Sequence, residues 1–154
     1  MNIEKLFELL NEDLSREYSH WHYYMSTAAS IEGLHRQEIG EFLLDQAKGE
    51  MQHVFEFKNL LHALIVKRNL NKQVCTKVAE YKNNLICPKE ILAEALKMED
   101  EVVKNYTQRI EDASNLQNSE DENDKVDGKY IELFLEDQLA DSRKDADQIR
   151  MMIK

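Results

Sequence analysis

Apolar side chains recur at alternating steps of three and four from Ile3 to about Ile31: Leu6, Leu10, Leu14, then Trp21, Tyr24, Ala28 and Ile31. That spacing returns to one face of a 3.6-residue turn and predicts a helix of about 29 residues, roughly 43 Å long. Gly33 ends it. A short link through Leu34 and His35 leads into a second helix from near Gln37, with Leu43, Ala47, Val54, Phe57, Leu61 and Leu64 on its stripe, fading at Lys67 to Asn69. So short a link can only set the two helices side by side and antiparallel. From about Leu70 to Cys87 the period is lost. An extended segment of about 18 residues spans about 60 Å, more than one helix length, so it can cross the bundle end to end and leave helices two and three parallel.

Pro88 suits the first turn of a third helix, where its missing N–H costs nothing; the stripe that follows is Leu92, Ala95, Val102, Tyr106, Ile110 and Ala113. Asn115 to Asp127 is polar, acidic and without period, and is predicted to be a solvated loop. It lacks the D-x-D-x-D-G spacing of a calcium loop. Gly128 precedes a last helix with Ile131, Leu135, Ile149 and Met152 turned inward. The expected fold class is all-α, a four-helix bundle with one long crossover between helices two and three, in one domain over residues 1–154.

Each stripe is interrupted once by a polar residue near the middle of its helix: Glu17, Glu50, Glu99 and Gln138. A mid-helix position keeps its height whichever way the helix runs, so all four are expected in one layer of the core. Three carboxylates cannot sit there as bare anions, because burial and mutual repulsion would each cost several kcal/mol. Arg16, Lys48 and Arg143 fall beside the stripes, so bound metal is the natural counter-charge. His53 follows Glu50 by three residues and Asp141 follows Gln138 by three, each pair on one helical face. Oxygen donors with one imidazole suit iron or manganese better than structural zinc. Glu-x-x-His spacing alone means little in a chain with 19 Glu and 5 His. A second match, Glu17-x-x-His20, lies beside the inner stripe and is left outside the expected ligand set.

Composition narrows the function classes. A formal charge of −10, from 20 Lys plus Arg against 30 Asp plus Glu, argues against nucleic acid and anionic membranes and favours gathering cations. No apolar run approaches the roughly 20 residues of a membrane span. No basic segment followed by an apolar stretch opens the chain, so a cytoplasmic location is expected. Cys75 and Cys87 lie in no metal-binding spacing and are expected as reduced thiols.

At this point the chain resembles the ferritin family, and within it the bacterial non-haem ferritins. The resemblance rests on Glu17, Tyr24, Glu50-Met51-Gln52-His53, Glu99 and Phe134-Leu135-Glu136-Asp137-Gln138, which stand in that family's order and helical context. It implies a ferroxidase that stores or detoxifies iron, with two Fe per subunit and dioxygen or hydrogen peroxide as oxidant. Glu17 and His53 would hold the first iron, Glu50 would bridge and Glu99 would hold the second. Gln138 occupies a ferritin-like position that lets oxidised iron leave, and Asp141 stands where haem-type relatives carry a His. Tyr24 would hydrogen-bond near the pair and supply an electron. Met51 matches a haem-binding residue of bacterioferritins, but non-haem relatives share it and haem is not expected. A third acidic iron site is degraded, with Gly49 and Ala140 in place of carboxylates and Asp137 and Asp141 remaining. Only 16 residues follow Gln138. No fifth helix of the kind that lines the four-fold axis of ferritin shells is therefore expected, and a homo-oligomer is expected without commitment to a cage. A cage-less di-iron oxidase or peroxidase, or a metal-free helical interaction module, are the competing readings.

Overall fold

The computed structural model describes all residues, 1–154. It consists of α1 (Ile3–Ser30), α2 (Arg36–Arg68), α3 (Pro88–Leu116) and α4 (Glu122–Ile153), without strands. Local chemistry sets the ends. Asn2 caps α1 by accepting the Lys5 backbone N–H at 2.8 Å. Asn69 closes α2 in the left-handed region at φ 52°, a conformation that asparagine tolerates better than most residues. Pro88 is the first residue of α3, as its fixed φ favours.

The path of residues 69–87 fixes the topology. Gln73 accepts a hydrogen bond from Asn11, Ala79 donates to Ser15 and Leu85 accepts from Ser30. The segment therefore climbs alongside α1 from its first third to its end. It then releases α3 to run back antiparallel to α1 and parallel to α2, the crossover that the loss of period predicted. α1 packs along α2 and α3 along α4, with α1 also touching α3.

The loop expected over Asn115 to Asp127 is shorter than the sequence suggested. α4 already begins at Glu122, capped by Asp121 through the Asn123 N–H at 2.7 Å. Glu122 and Asp124 in its first turn favour the positive end of the helix dipole. Arg68 at the end of α2 then binds Asp124 and Asp127 at 2.7 and 2.8 Å. These acids therefore build a helix start and tie it to α2. Gly128 follows because the backbones meet there: a Cβ would lie 2.8 Å from the Ala113 carbonyl oxygen and 2.8 Å from Gln117 Cγ. Gly128→Ala is expected to cost about 1–3 kcal/mol by overpacking, in spite of alanine's better helix propensity. Urea unfolding checks this, and a more stable variant would contradict the close approach.

The core comes in two apolar bodies. One gathers Leu6, Leu10, Leu14, Phe57, Leu61, Tyr106, Ile131 and Leu135 with their neighbours. The other gathers Tyr23, Tyr24, Leu43, Ile91, Ala95 and Ile149 with theirs. The four stripe-breaking residues lie between them and are all buried. No helix is long and apolar enough to cross a membrane.

Candidate metal centre

The layer between the two apolar bodies holds two clusters with one member in common. Glu17 of α1 with Glu50 and His53 of α2 bring ligand atoms within 4.8 Å of one another; so do His20 of α1, Glu50 and Glu99 of α3. All five residues are buried. His53 Nδ1 lies 3.3 Å from Glu50 Oε2 and 3.7 Å from Glu17 Oε2. Glu50 thus stands between two three-residue sets, each containing one imidazole.

Phenols steady the outer carboxylates. Tyr24 donates its O–H to Glu99 Oε1 at 2.8 Å, and Tyr106 donates to Glu17 Oε1. In both carboxylates the second oxygen, Oε2, is buried without a hydrogen-bond partner, as is Gln138 Oε1. Stranding a buried acceptor costs about 1–3 kcal/mol. Three such atoms at one depth fit a centre that cations would complete, and oxygen-rich donors with imidazole suit iron.

Protons balance the charges when no metal is bound. Burial drives Glu50 well above the usual carboxylate range, reinforced by Glu17 and Glu99. It lifts Glu99 to about 8, with Asp145 adding to the rise. Burial opposes a charge on His53, but the neighbouring carboxylates of Glu17 and Glu50 outweigh it and push the ring up to about 12. Glu17 is held at about 2 against its own burial by the polar groups of His53, whose Nδ1 lies 3.7 Å away, and of Glu50 beside it. Burial also holds His20 below its ordinary range, leaving a neutral imidazole with a free lone pair. One anion, one cation and neutral acids make a layer with no net charge, and metal ions would have to displace those protons.

The remaining expected site residues are placed as follows. Asp141 does not join either cluster: its Oδ2 lies 3.4 Å from His53 Nε2, on the side of the ring away from Glu17 and Glu50. A residue three positions along α4 from Gln138 shares its face but projects nearer the surface, and Asp141 is largely exposed. Gln138 is buried and donates its amide N–H to Glu56 Oε2 at 2.8 Å. Asp137, Ala140 and Asp141 line a cleft of about 510 Å³ together with Glu56, and it reaches Gln138 from outside. Met51 is half exposed on α2. Cys75 and Cys87 are free thiols in the crossover, away from the layer.

Pattern reading left out His20, Tyr106, Glu56 and a buried ion pair. Arg109 binds Asp13 at 2.7 Å one turn from the layer, so a cation does occupy the core, although it is already neutralised. His20 flanks the single stripe that the sequence assigns to the buried face of α1. That helix is covered on several sides, and Tyr18, Ser19, Tyr23 and Thr27 are buried too.

Comparison with known proteins agrees with this fold. No curated protein matches the chain significantly. Among solved structures, a ferritin-like, diiron-carboxylate protein from Bacillus anthracis str. Ames superposes with TM-score 0.80 at 26% identity, covering 100% of both chains. BfrA from M. tuberculosis matches with TM-score 0.72 at 17% identity, over 98% of this chain and 84% of that one. A dodecameric thioferritin from Bacteroides fragilis matches with TM-score 0.59 at 18% identity, over 99% and 90%. A family model for the ferritin-like domain matches residues 7–153, and the chain, with its four helices and its acidic layer at mid-bundle, belongs to that family.

Proposed function

We propose that the chain is a ferroxidase that takes Fe(II) into two positions at mid-bundle and oxidises it to Fe(III), with dioxygen or hydrogen peroxide as acceptor. The observation that carries this reading is the pair of buried clusters sharing Glu50, with unpartnered oxygens on Glu17 and Glu99. The diiron-carboxylate description of the Bacillus anthracis neighbour supports it. Glu17 and His53 hold the first ion, Glu99 the second, and Glu50 serves both; Gln138 Oε1 is a neutral oxygen available to the second. Asp141 acts through His53, accepting its Nε2–H and so fixing Nδ1 toward the metal, as an outer carboxylate does for a metal-bound imidazole.

Iron bound there supplies one electron per ion, so two Fe(II) and two protons convert one dioxygen to hydrogen peroxide. The residues prepare the step. Glu50 and Glu99 release protons as the ions arrive, and Tyr106 and Tyr24 keep the outer carboxylates aimed. Tyr24, one hydrogen bond from the second position, is the group best placed to pass an electron or a proton. The acidic exterior raises the local Fe(II) concentration, and the cleft beside Gln138 gives a route inward.

Fe(II) added in air, followed by near-ultraviolet absorbance, tests the reading. Oxidation is expected to outpace free iron, with a fast phase that saturates at two Fe(II) per chain. Uncatalysed oxidation would overturn it. Storage requires a closed homo-oligomer, and a di-iron oxidase that stores nothing would use the same centre. The particle mass in solution separates the two, since a species near a dimer's mass excludes storage.

A further inference from the structure

The two Glu-x-x-His spacings, on α1 and α2, deliver two imidazoles to one layer, and only that of His53 has so far been given a task. His20 is 5% exposed, and a ring nitrogen lies within 4.8 Å of carboxylate oxygens of both Glu50 and Glu99. The ring makes no hydrogen bond within the protein, and it is not sealed, since a cleft between α1, the crossover and α3 reaches it. A ring kept only for packing is normally fixed by a hydrogen bond, whereas this one stands unheld beside two carboxylates.

The surroundings of Glu99 sharpen the point. On the α4 side the residue at this depth is Gln138, which brings no charge and spends its amide on Glu56. Without His20 the second position would depend on Glu99, a shared Glu50 and the neutral Oε1 of Gln138. The cleft that reaches His20 from the other flank has a volume of about 230 Å³, with Glu80, Glu94 and Glu101 on its walls.

We propose that His20 is a direct nitrogen ligand of the second metal position. Each ion is then held by one imidazole, one outer carboxylate and the shared Glu50: His53 with Glu17 at the first, His20 with Glu99 at the second. The inference rests on the di-iron reading above and changes its character. A second position with its own imidazole binds a divalent first-row metal about as firmly as the first, rather than serving as a weakly held exit. Imidazole also favours such metals over Mg(II) and Ca(II), which prefer oxygen alone.

Cobalt(II), added without air to the full-length chain, tests this by proton NMR and by titration. The unaltered chain is expected to take up two Co(II) with similar affinity and to show hyperfine-shifted ring resonances from two histidines. His20→Ser is expected to keep the first site, with the His53 resonances still shifted, and to bind the second Co(II) at least about tenfold more weakly. Two Co(II) bound with only one histidine shifted overturns the assignment, as does a His20→Ser chain that binds both ions unchanged. The resonance count is read on the unaltered chain and does not depend on how the variant folds. A chain that shifts no histidine at all defeats the di-iron reading itself, a result distinct from the loss of His20 alone.

Discussion

Glu50→Ala is expected to slow Fe(II) oxidation by about 100-fold or more, to near the rate of free iron, because loss of a shared ligand weakens both sites together. Glu17, His20, His53 and Glu99 each belong to one cluster, whereas Glu50 alone belongs to both. His53→Ala is expected to abolish the fast phase as well, but to leave the set around Glu99 intact. The isosteric Glu50→Gln separates chemistry from folding. Glu50 carries a proton in the metal-free layer, since burial and the charges of Glu17 and Glu99 raise it well above the usual carboxylate range. A neutral amide of the same shape should therefore leave metal-free stability nearly unchanged. It should remove the rise in Tm that a bound metal brings, which amounts to about 3 kcal/mol of stabilisation at a hundredfold excess over Kd. Stopped-flow absorbance and thermal unfolding with and without Co(II) measure both effects. A Glu50→Gln chain that oxidises iron at the unaltered rate would remove the shared ligand from the mechanism.

The second large effect concerns pH. Between pH 6.5 and 8 the metal-free chain should become less stable as pH rises. Glu50 lies well above the usual range, Glu99 is raised to about 8 and His53 to about 12. In that window the folded chain retains protons that the unfolded chain, with ordinary Glu and His values near 4.5 and 6.5, has released. When the folded state holds more protons, stability falls with rising pH, by roughly 1 kcal/mol per pH unit for each such proton. Within the layer, two groups act in the opposite sense, but below this window. Glu17, held at about 2, contributes stability that is present above 4.5 and lost only as pH falls toward 2. His20, lowered by burial, disfavours the folded state only where the unfolded ring is charged, below about 6.5. Bound metal replaces the protons, so the loaded chain should show a flat or rising Tm over the same window. Thermal unfolding at pH 6.5 and 8, with and without Co(II), decides it. A metal-free Tm that climbs across the window would contradict the proton balance of the layer.

The architecture was legible because its signals are periodic and seldom interrupted. The stripes ending near Ile31 and Asn69 stop within a residue or so of α1 and α2, and Pro88 marks the start of α3. The crossover was read from the loss of period together with its reach. The mid-helix breaks at Glu17, Glu50, Glu99 and Gln138 named four buried residues of the layer before any geometry was known. What escaped depends on contacts that no single helix encodes. His20 flanks the stripe of α1 and is buried because neighbouring chain covers that flank as well. Asp13 stands four residues before Glu17 and Arg109 three after Tyr106, each on the buried face of its helix, and their mutual contact at 2.7 Å, invisible in either helix alone, explains why the core accepts them. The run before Gly128 reads as a loop by composition, yet Arg68, distant in sequence, holds its acids as the first turns of α4.

Anomalous diffraction at the iron edge, from crystals of the unaltered chain soaked in Fe(II) without air, addresses the metal centre most directly. Two peaks about 3.5–4 Å apart are expected, one on each side of the Glu50 carboxylate, as in paired-metal sites. A layer without iron, its carboxylates held only by Tyr24, Tyr106 and His53, would contradict the proposed centre and the ferroxidase reading with it.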